Sequence, residues 1–235
     1  MSVAVLTGAG VSAESGVPTF RGAGGLWRQF RAEDLATAEA FRRDPRLVWE
    51  WYAWRREVVA ACQPNTAHRT IAAMEHSVPD FTLVTQNVDG LHERAGSRRV
   101  LRLHGSLWSM RCVREGTRHE NLDLPLAELP PRCACGALLR PDVVWFGETL
   151  DPTVVRAAVK AATQTDVMLV VGTSALVYPA AELPLLTLEA GGRVIEFNVE
   201  RTALSPYADE VILGPATETL PRWWQENASA LLSPY

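Results

Sequence analysis

The sequence predicts an α/β fold: a Rossmann-like parallel sheet with helices on both faces, plus a smaller inserted module with a helical part and a cysteine-containing, loop-rich part. Short apolar runs alternate with helical patterns in both halves of the chain, which indicates the parallel sheet. The first run leads into Gly8-Ala9-Gly10-Val11-Ser12-Ala13, the Gly-x-Gly-x-x-Ala spacing of a strand, a tight turn and a helix start. The pattern fails between about residues 107 and 140, which indicates the module.

The predicted elements follow the chain in order. Residues 3–6 are apolar and valine-rich, as in a buried strand, and residues 31–76 read as helical. The clearest helix is 45–61, where Asp44 provides a cap and Pro45 a first-turn residue. Strands are predicted at 81–85, 100–103, 167–171, 194–197 and 210–213, with a strand-like segment at 143–148. Further helices are predicted at 152–162, partly at 179–190, and around Trp223 and Trp224.

The chain is long enough for one domain that carries an inserted module, since 235 residues with an apolar fraction of 47% can bury a substantial core. We expect a single domain over 1–235. Its large, Rossmann-like part comprises 1–30, 77–106 and 146–235, and its small module comprises 31–76 and 107–145.

Composition excludes several classes of partner. The net charge of −4 gives no reason to expect nucleic acid or an anionic membrane surface, and no apolar run is long enough to span a bilayer. No signal peptide follows Met1, and the four cysteines lack a secretory context. We therefore expect a cytoplasmic protein with reduced thiols.

Polar groups cluster where the predicted strands end. In an open parallel sheet, ligands bind beyond the carboxyl ends of the strands. Turn formation alone explains Gly214-Pro215 well, but it explains Gln86-Asn87-Val88-Asp89 and His104 poorly. An ordinary dehydrogenase is disfavoured, because the ribose-binding acid expected about 20 residues after the glycine turn is replaced by a glycine-rich loop.

The segment from Gly8 to Gly22 closely resembles the opening of the sirtuins, the NAD-dependent protein deacylases, over fifteen consecutive positions. Further blocks are similar to sirtuin motifs and come in the family's order. These blocks are Thr85-Gln86-Asn87-Val88-Asp89-Gly90-Leu91-His92, Leu103-His104-Gly105-Ser106, Val144-Trp145-Phe146-Gly147-Glu148, Gly172-Thr173-Ser174 and Asn198-Val199-Glu200.

The resemblance implies that NAD is consumed: the acyl group of a modified lysine is transferred to ADP-ribose, and nicotinamide and free lysine are released. It implies a catalytic set of His104 as general base, Asn87 and Asp89 in the nicotinamide pocket, and Gln86 on the ribose. A histidine suits the base role because its ordinary pKa of about 6.5 lies near neutral pH. The implied NAD-binding residues are Gly8, Ala9, Gly10, Ala13, Glu14, Thr19, Phe20, Arg21, Trp27, Gln86, Asn87, Asp89, His104, Gly172, Thr173, Ser174, Asn198, Val199, Glu200 and Ala216. For His92 we expect a structural or capping role, and His68 resembles a buried family histidine.

The acyl-lysine partner is expected to lie along Val144, Trp145, Phe146, Gly147 and Glu148, and near Tyr52 and Arg55. Tyr52 and Arg55 stand three residues apart and share a helix face. Such pairs are common on amphipathic helices, where the guanidinium is simply solvated. Their segment nevertheless resembles the sirtuin subgroup that removes succinyl and malonyl groups, in which this pair holds the distal carboxylate. We therefore expect succinyl and malonyl substrates to be preferred, with acetyl weaker, and Arg56 to point elsewhere.

The cysteines depart from the sirtuin pattern of two Cys-x-x-Cys pairs around a structural zinc. Cys112 is followed three residues later by Glu115, and Cys133-Ala134-Cys135 is one residue too short. We therefore doubt that zinc binds, although Glu115 or His119 can serve as a fourth ligand. Without zinc, the module would depend on apolar packing by Leu122, Leu124, Leu126 and Leu129.

Two other functions stay open. One is mono-ADP-ribosyl transfer at the same NAD site, which the Tyr52 and Arg55 pair disfavours. The other is a catalytically silent module that senses NAD or acyl-lysine, which intact Gln86, Asn87, Asp89 and His104 disfavour.

Overall fold

Two β-sheets organise the chain in the computed structural model, which describes residues 1–20, 25–26 and 31–232. The strands in this part of the chain are β1 (Val3–Thr7), β2 (Phe81–Thr85), β3 (Val100–Arg102), β4 (Gly105–Cys112), β5 (Arg118–Glu120), β6 (Leu139–Val143), β7 (Val167–Val171), β8 (Arg193–Asn198) and β9 (Glu210–Leu213). The helices are α1 (Gly10–Ala13), α2 (Ala32–Leu35), α3 (Ala38–Arg43), α4 (Pro45–Ala61), α5 (Thr66–Ser77), α6 (Leu91–Arg94), α7 (Pro152–Gln164), α8 (Leu183–Glu189) and α9 (Ala216–Leu232), with a 3₁₀ turn at Ala180–Glu182.

The main sheet is six-stranded, parallel, and ordered β3-β2-β1-β7-β8-β9, which confirms the predicted fold class. Thr7 at the end of β1 pairs with Thr85 on one side and Val171 on the other, so these strand ends share one edge. The chain order reverses direction at β1, and such a switch point leaves a crevice beyond the strand ends.

Alternate residues of β1 face opposite sides of the main sheet. Val3 and Val5 belong to one apolar cluster with residues of α5 and α9, whereas Ala4 and Leu6 belong to another with residues of α7 and α8. Helices therefore cover both faces, which is why the inner strands are continuously apolar.

The segment predicted to be loop-rich contains a second sheet. Strands β4, β5 and β6 form an antiparallel sheet in the order β5-β4-β6, and a third apolar cluster joins it to α2, α3 and α4. The prediction of irregular structure from 107 to 140 was therefore wrong over these strands. The exposed Arg-His-Glu strand β5 and the prolines nearby hide the alternation that strands usually show.

Two local predictions also need correction. The strand near residues 143–148 is β6, which ends at Val143, and residues 144–148 form a loop with Gly147 at φ 83°. Helix α1 is a single turn of four residues, so its dipole contributes little to anion binding. The boundaries of the large part and the small module stay a prediction.

Within the described ranges, we find no helix long and apolar enough to cross a membrane.

Candidate active site

A cavity of about 920 Å³ opens at the carboxyl edge of the main sheet, within the size range of small-molecule and cofactor sites. Strand ends form its floor, and α4 and the loop after β6 contribute the opposite wall. Many of the predicted site residues line it together: Gly8, Ala9, Gly10, Ala13, Glu14, Thr19, Phe20, Tyr52, Arg55, Gln86, Asn87, His104, Val144, Trp145, Phe146, Gly147, Glu148, Gly172, Thr173, Ser174, Asn198, Val199, Glu200 and Ala216.

Of the predicted site residues, Asp89 is not among those that line the cavity. Arg21 and Trp27 fall outside the residues that the structure describes. The cavity also has lining residues that we did not predict, which include Trp51, Leu150, Leu176, Val177, Tyr178, Arg201, Thr202 and Ala203. A signal for some of them was available, because residues 201–203 directly continue a predicted strand-end motif.

The cavity floor is built from two backbone turns that touch. The Gly10 N–H donates to the Gly172 carbonyl at 2.8 Å, and a Cβ atom on Gly8 would lie 2.7 Å from that same oxygen. Gly172 has φ 61°, and a Cβ there would lie 2.4 Å from the Val11 nitrogen. Side chains are therefore excluded at these positions, which leaves backbone exposed to a ligand.

A buried hydrogen-bond network fixes Asn87 and Asp89. The Asn87 amide Nδ2 donates to the Gly8 carbonyl at 3.1 Å and to Ser12 Oγ at 3.3 Å. Ser12 Oγ donates to Asp89 Oδ2 at 2.8 Å, and the Leu91 N–H donates to Asp89 Oδ1 at 2.9 Å. Burial raises the pKa of Asp89, although these two hydrogen bonds oppose the shift. Asp89 therefore acts on the cavity through Ser12 and Asn87.

His104 presents one ring nitrogen to the cavity as a base. Its Nδ1 lies 2.9 Å from the Gln86 carbonyl, and a carbonyl can only accept, so Nδ1 carries the proton. In the neutral ring, Nε2 is then the acceptor. Burial lowers the pKa of His104, while the Gln86 hydrogen bond opposes that shift. The imidazole is therefore neutral at neutral pH, as a general base must be.

His68 and His92 are both buried outside the cavity, in agreement with the structural role expected for them. His92 Nε2 lies 2.9 Å from Thr7 Oγ1, His68 Nε2 lies 3.2 Å from Ser12 Oγ, and the ring centroids are 4.8 Å apart. Burial lowers the pKa of His68 to about 4 and that of His92 well below its ordinary value. Both rings are neutral supports beneath Thr7 and Ser12.

Tyr52 and Arg55 both line the cavity, because three-residue spacing on α4 places them on one helix face. Arg55 is 5% exposed, and its guanidinium carbon lies 4.7 Å from the Phe20 ring centroid and 5.0 Å from that of Trp51. Burial lowers the pKa of Arg55 and raises that of Tyr52, and each side chain opposes the other's shift. The site therefore holds a buried cation beside a neutral phenol.

The phenol of Tyr52 is oriented by Trp145. The indole Nε1 donates to the Tyr52 oxygen at 2.9 Å, and an indole nitrogen cannot accept. The Tyr52 O–H is therefore available to donate to another group. No acceptor for it lies within hydrogen-bonding distance among the residues that the structure describes.

Arg140 and Glu148 hold the loop that carries Trp145. The Arg140 guanidinium carbon lies 3.4 Å from the Trp145 ring centroid, and its nitrogens donate to both Glu148 oxygens at 2.5 and 2.9 Å. The Trp145 N–H also donates to Glu148 at 2.9 Å. Burial alone would raise the pKa of Glu148, but these hydrogen bonds lower it. The loop is thus rigid without being a strand.

Arg56 points away from the cavity, as the helix spacing predicts. Its NH2 group donates to the carbonyl and the side-chain oxygen of Asn121, both at 2.7 Å, and to the Asp123 carbonyl at 3.2 Å. It connects α4 to the loop after β5.

Cys112, Cys133 and Cys135 come together with Glu115, and their ligand atoms all lie within 4.8 Å of one another. The Cys112 and Cys135 sulfurs are 3.5 Å apart, and the Glu115 N–H donates to the Cys112 sulfur at 3.4 Å. His119 Nε2 is 4.0 Å from the Cys133 sulfur and outside this group. Three thiols and one carboxylate fit a tetrahedral zinc site, because all four are zinc ligands. The short Cys133-Ala134-Cys135 spacing led us to doubt zinc, but the fold brings these thiols to Cys112 and to Glu115, one of the two fourth ligands that the sequence offered.

The leucines proposed as the module's apolar support divide into two pairs. Leu122 is 65% exposed and Leu124 is 38% exposed, so these two do not hold the module. Leu126 and Leu129 pack against the third apolar cluster.

Comparison with known proteins identifies what this arrangement is similar to. Residues 8–179 match the Sir2 family. The NAD-dependent protein deacylase 2 of Pyrobaculum aerophilum is 57% identical over 223 residues, which cover 94% of this chain and 89% of that protein. A mutant Sir2 homologue in complex with ADP-ribose is 48% identical, with a TM-score of 0.94 over 100% of this chain and 94% of that one. A Sir2 complex with a p53 peptide and NAD+ is 32% identical, with a TM-score of 0.85 over 97% and 94% of the two chains.

Proposed function

Because the chain belongs to the Sir2 family, the sirtuins, we propose that it removes acyl groups from protein lysine side chains and prefers succinyl and malonyl groups to acetyl. The chain is an NAD-consuming protein deacylase, and the acyl preference is the finer part of the proposal. The observation that carries the preference is that the buried Arg55 guanidinium and the Tyr52 hydroxyl, whose charges act on each other, both line the cavity.

NAD supplies an anomeric carbon whose bond to nicotinamide can be broken. The chain supplies the groups that would bind the dinucleotide and the base that would deprotonate a ribose hydroxyl. Gly8, Gly10 and Gly172 allow the two strand-end turns to pack backbone to backbone, where a pyrophosphate would approach them. Asn87, held by Gly8 and Ser12, would bind the nicotinamide carboxamide, and Gln86 would contact the ribose. Thr173, Ser174 and the wall from Asn198 to Glu200 receive the adenosine end.

His104 serves as the general base on a ribose hydroxyl. Its Nδ1–H is held by the Gln86 carbonyl, which leaves Nε2 facing the cavity as the proton acceptor. Because its pKa is lowered by burial, His104 is in its base form throughout the neutral range. The same hydrogen bond fixes the ring plane, so the base is positioned before substrate binds.

Arg55 and Tyr52 would receive the distal carboxylate of a succinyl or malonyl group. A guanidinium presents two parallel donors that match a carboxylate, and the Tyr52 O–H adds a third donor. A buried cation is costly without a partner, and the nearby Asp89 carboxylate, whose charge opposes the lowering of the Arg55 pKa, is hydrogen-bonded instead by Ser12 and the Leu91 N–H. An acidic acyl group would provide that partner, whereas an acetyl group would not.

The cysteine cluster would hold zinc through Cys112, Cys133, Cys135 and Glu115. With four protein ligands such an ion is structural, since no position is left open for a reacting group. Its contribution would be to close the turns at the end of the second sheet, away from the cavity.

The test is mass spectrometry of paired succinyl-lysine and acetyl-lysine peptides incubated with the protein and NAD. Loss of succinyl in preference to acetyl, with nicotinamide and an acylated ADP-ribose as products, is the expected result. Loss of acetyl alone would refute the carboxylate clamp but keep the deacylase activity. Transfer of ADP-ribose onto the peptide would favour the transferase alternative, and binding of NAD without turnover would favour a sensing role.

A further inference from the structure

Glu196 is a buried carboxylate one strand in from an edge of the main sheet. It lies on β8 between Ile195 and Phe197, is 1% exposed, and is flanked by β7 and β9. Such a position in a parallel sheet is normally apolar, and a carboxylate there is costly unless it is hydrogen-bonded. No ion pair to Glu196 occurs among the residues for which the structure gives positions.

Two hydroxyl groups satisfy this carboxylate instead. Thr202 Oγ1 donates to Oε1, and Ser205 Oγ donates to Oε2 at 2.5 Å. The two donors belong to one tight turn, because the Thr202 N–H donates to Ser205 Oγ at 2.8 Å and the Ser205 N–H donates to the Thr202 carbonyl at 3.2 Å. Glu196 therefore holds this turn against β8.

The turn that contains Thr202 and Ser205 continues one wall of the cavity. Residues 198–203 line the cavity without forming a helix or strand beyond Asn198. At its start the wall is held by Asn198 Nδ2, which donates to the Thr173 carbonyl at 2.8 Å. At its far end it is held by the Glu196 hydrogen bonds, while Val199 between the two anchors is 71% exposed.

We propose that Glu196 is a positioning residue for NAD binding: it sets the wall that receives the adenosine end of the dinucleotide. The inference rests on the proposed assignment of residues 198–200 to that end. An apolar side chain is usual at this place in a parallel sheet, so we ascribe the carboxylate to the position in which its two hydrogen bonds hold the loop. Sites that contradict the folding rules in this way are expected where function requires them.

The test compares Glu196→Leu, Glu196→Gln and Ser205→Ala with the parent protein, using ADP-ribose as the titrated ligand in calorimetry. We expect Glu196→Leu to raise the dissociation constant for ADP-ribose about tenfold and to raise KM for NAD, with kcat at saturating NAD unchanged. Ser205 does not line the cavity, yet Ser205→Ala should weaken ADP-ribose binding severalfold. The dissociation constant of Glu196→Gln should lie between those of the parent protein and Glu196→Leu, because the amide oxygen still accepts a hydrogen bond from one hydroxyl.

The matched control is Thr187→Val, which removes another fully buried hydroxyl, one that donates to the Ala162 carbonyl at 2.8 Å outside the cavity. It should lower the melting temperature and leave ADP-ribose binding unchanged. Unchanged binding in Glu196→Leu and Ser205→Ala would overturn the inference, as would a loss that only accompanies a lower melting temperature. Failure of the parent protein to bind ADP-ribose would instead overturn the proposed function.

Discussion

Replacing Arg55 with methionine is the most direct test of the carboxylate clamp. Methionine keeps an unbranched side chain but removes the guanidinium that lies over the Phe20 and Trp51 rings, with its charge and all five N–H donors. The residue is almost fully buried, so water cannot replace the lost donors. A succinyl carboxylate at this site would then be left in a cavity without a cation.

The expected loss follows from hydrogen-bond energies. A hydrogen bond to a charged group contributes about 1.5–3 kcal/mol, and the two donors of a guanidinium fork are not additive. We therefore expect a loss of about 3 kcal/mol, which corresponds to on the order of a hundredfold in kcat/KM for the succinyl peptide. For the acetyl peptide, which has no distal carboxylate, we expect a change within about threefold. The free energy of unfolding should change little, because the cost of burying a cation is removed together with its attraction to Asp89 and its contacts with the Phe20 and Trp51 rings.

The assay measures kcat/KM for matched succinyl and acetyl peptides at saturating NAD, and the ratio of the two is the result of interest. The succinyl-to-acetyl ratio does not depend on the fraction of enzyme that is folded. Arg56→Met, which should reduce stability alone, is therefore a suitable control. Arg56 is buried on the same helix but bonds to Asn121 outside the cavity, so this variant should lose stability and keep the ratio. An equal loss on both peptides in Arg55→Met would refute the clamp.

Three further outcomes are expected. Trp145→Phe keeps an aromatic ring but removes the N–H that orients Tyr52, so the succinyl-to-acetyl ratio should fall about three- to tenfold; an unchanged ratio in the same peptide assay would contradict this. The pKa of His68 is about 4 in the folded protein and about 6.5 in the unfolded chain. Between about pH 4 and pH 6.5, therefore, the unfolded chain binds a proton at His68 that the folded protein does not. The free energy of unfolding should therefore decline as pH falls from about 6.5 to 4, by up to about 3 kcal/mol from this residue, and urea titrations at several pH values should show a smaller decline in His68→Gln. Protein purified without chelator should contain about one zinc per chain, and Glu115→Ala should lose it faster to a chelator; metal-free parent protein would exclude the four-ligand site.

The predictable parts of the fold are those with a clear apolar pattern in the sequence. The strands at 81–85, 167–171 and 210–213 and the helix at 45–61 coincide with the structure, because their apolar residues are consecutive or recur at helical spacing. Strand ends of a parallel sheet meet at one edge, so listing the residues there collected the part of the cavity lining that the main sheet provides.

The parts that sequence could not provide depend on distant partners. The strand β6 was placed a few residues too late, because the loop after it is held by Arg140 and Glu148 rather than by sheet pairing. Asp89 was expected in the cavity, yet its carboxylate is taken by Ser12 and the Leu91 N–H. Glu196 gave no signal at all, since a lone acid in an apolar run does not reveal which hydroxyls will satisfy it.

The pairing of β1 has a consequence for how the molecule folds. Thr7 has its neighbours at Thr85 and Val171, far along the chain on both sides of the central strand. Contacts of such long range make folding slow, because loop-closure entropy is lost before they form. Because the chain is synthesised from its N-terminus, β1 is complete long before β7. The side of β1 that pairs with β7 stays unpaired until then. The glycine contact between Gly10 and Gly172 is therefore completed late, and binding of ADP-ribose during refolding would report the end of the process rather than its beginning.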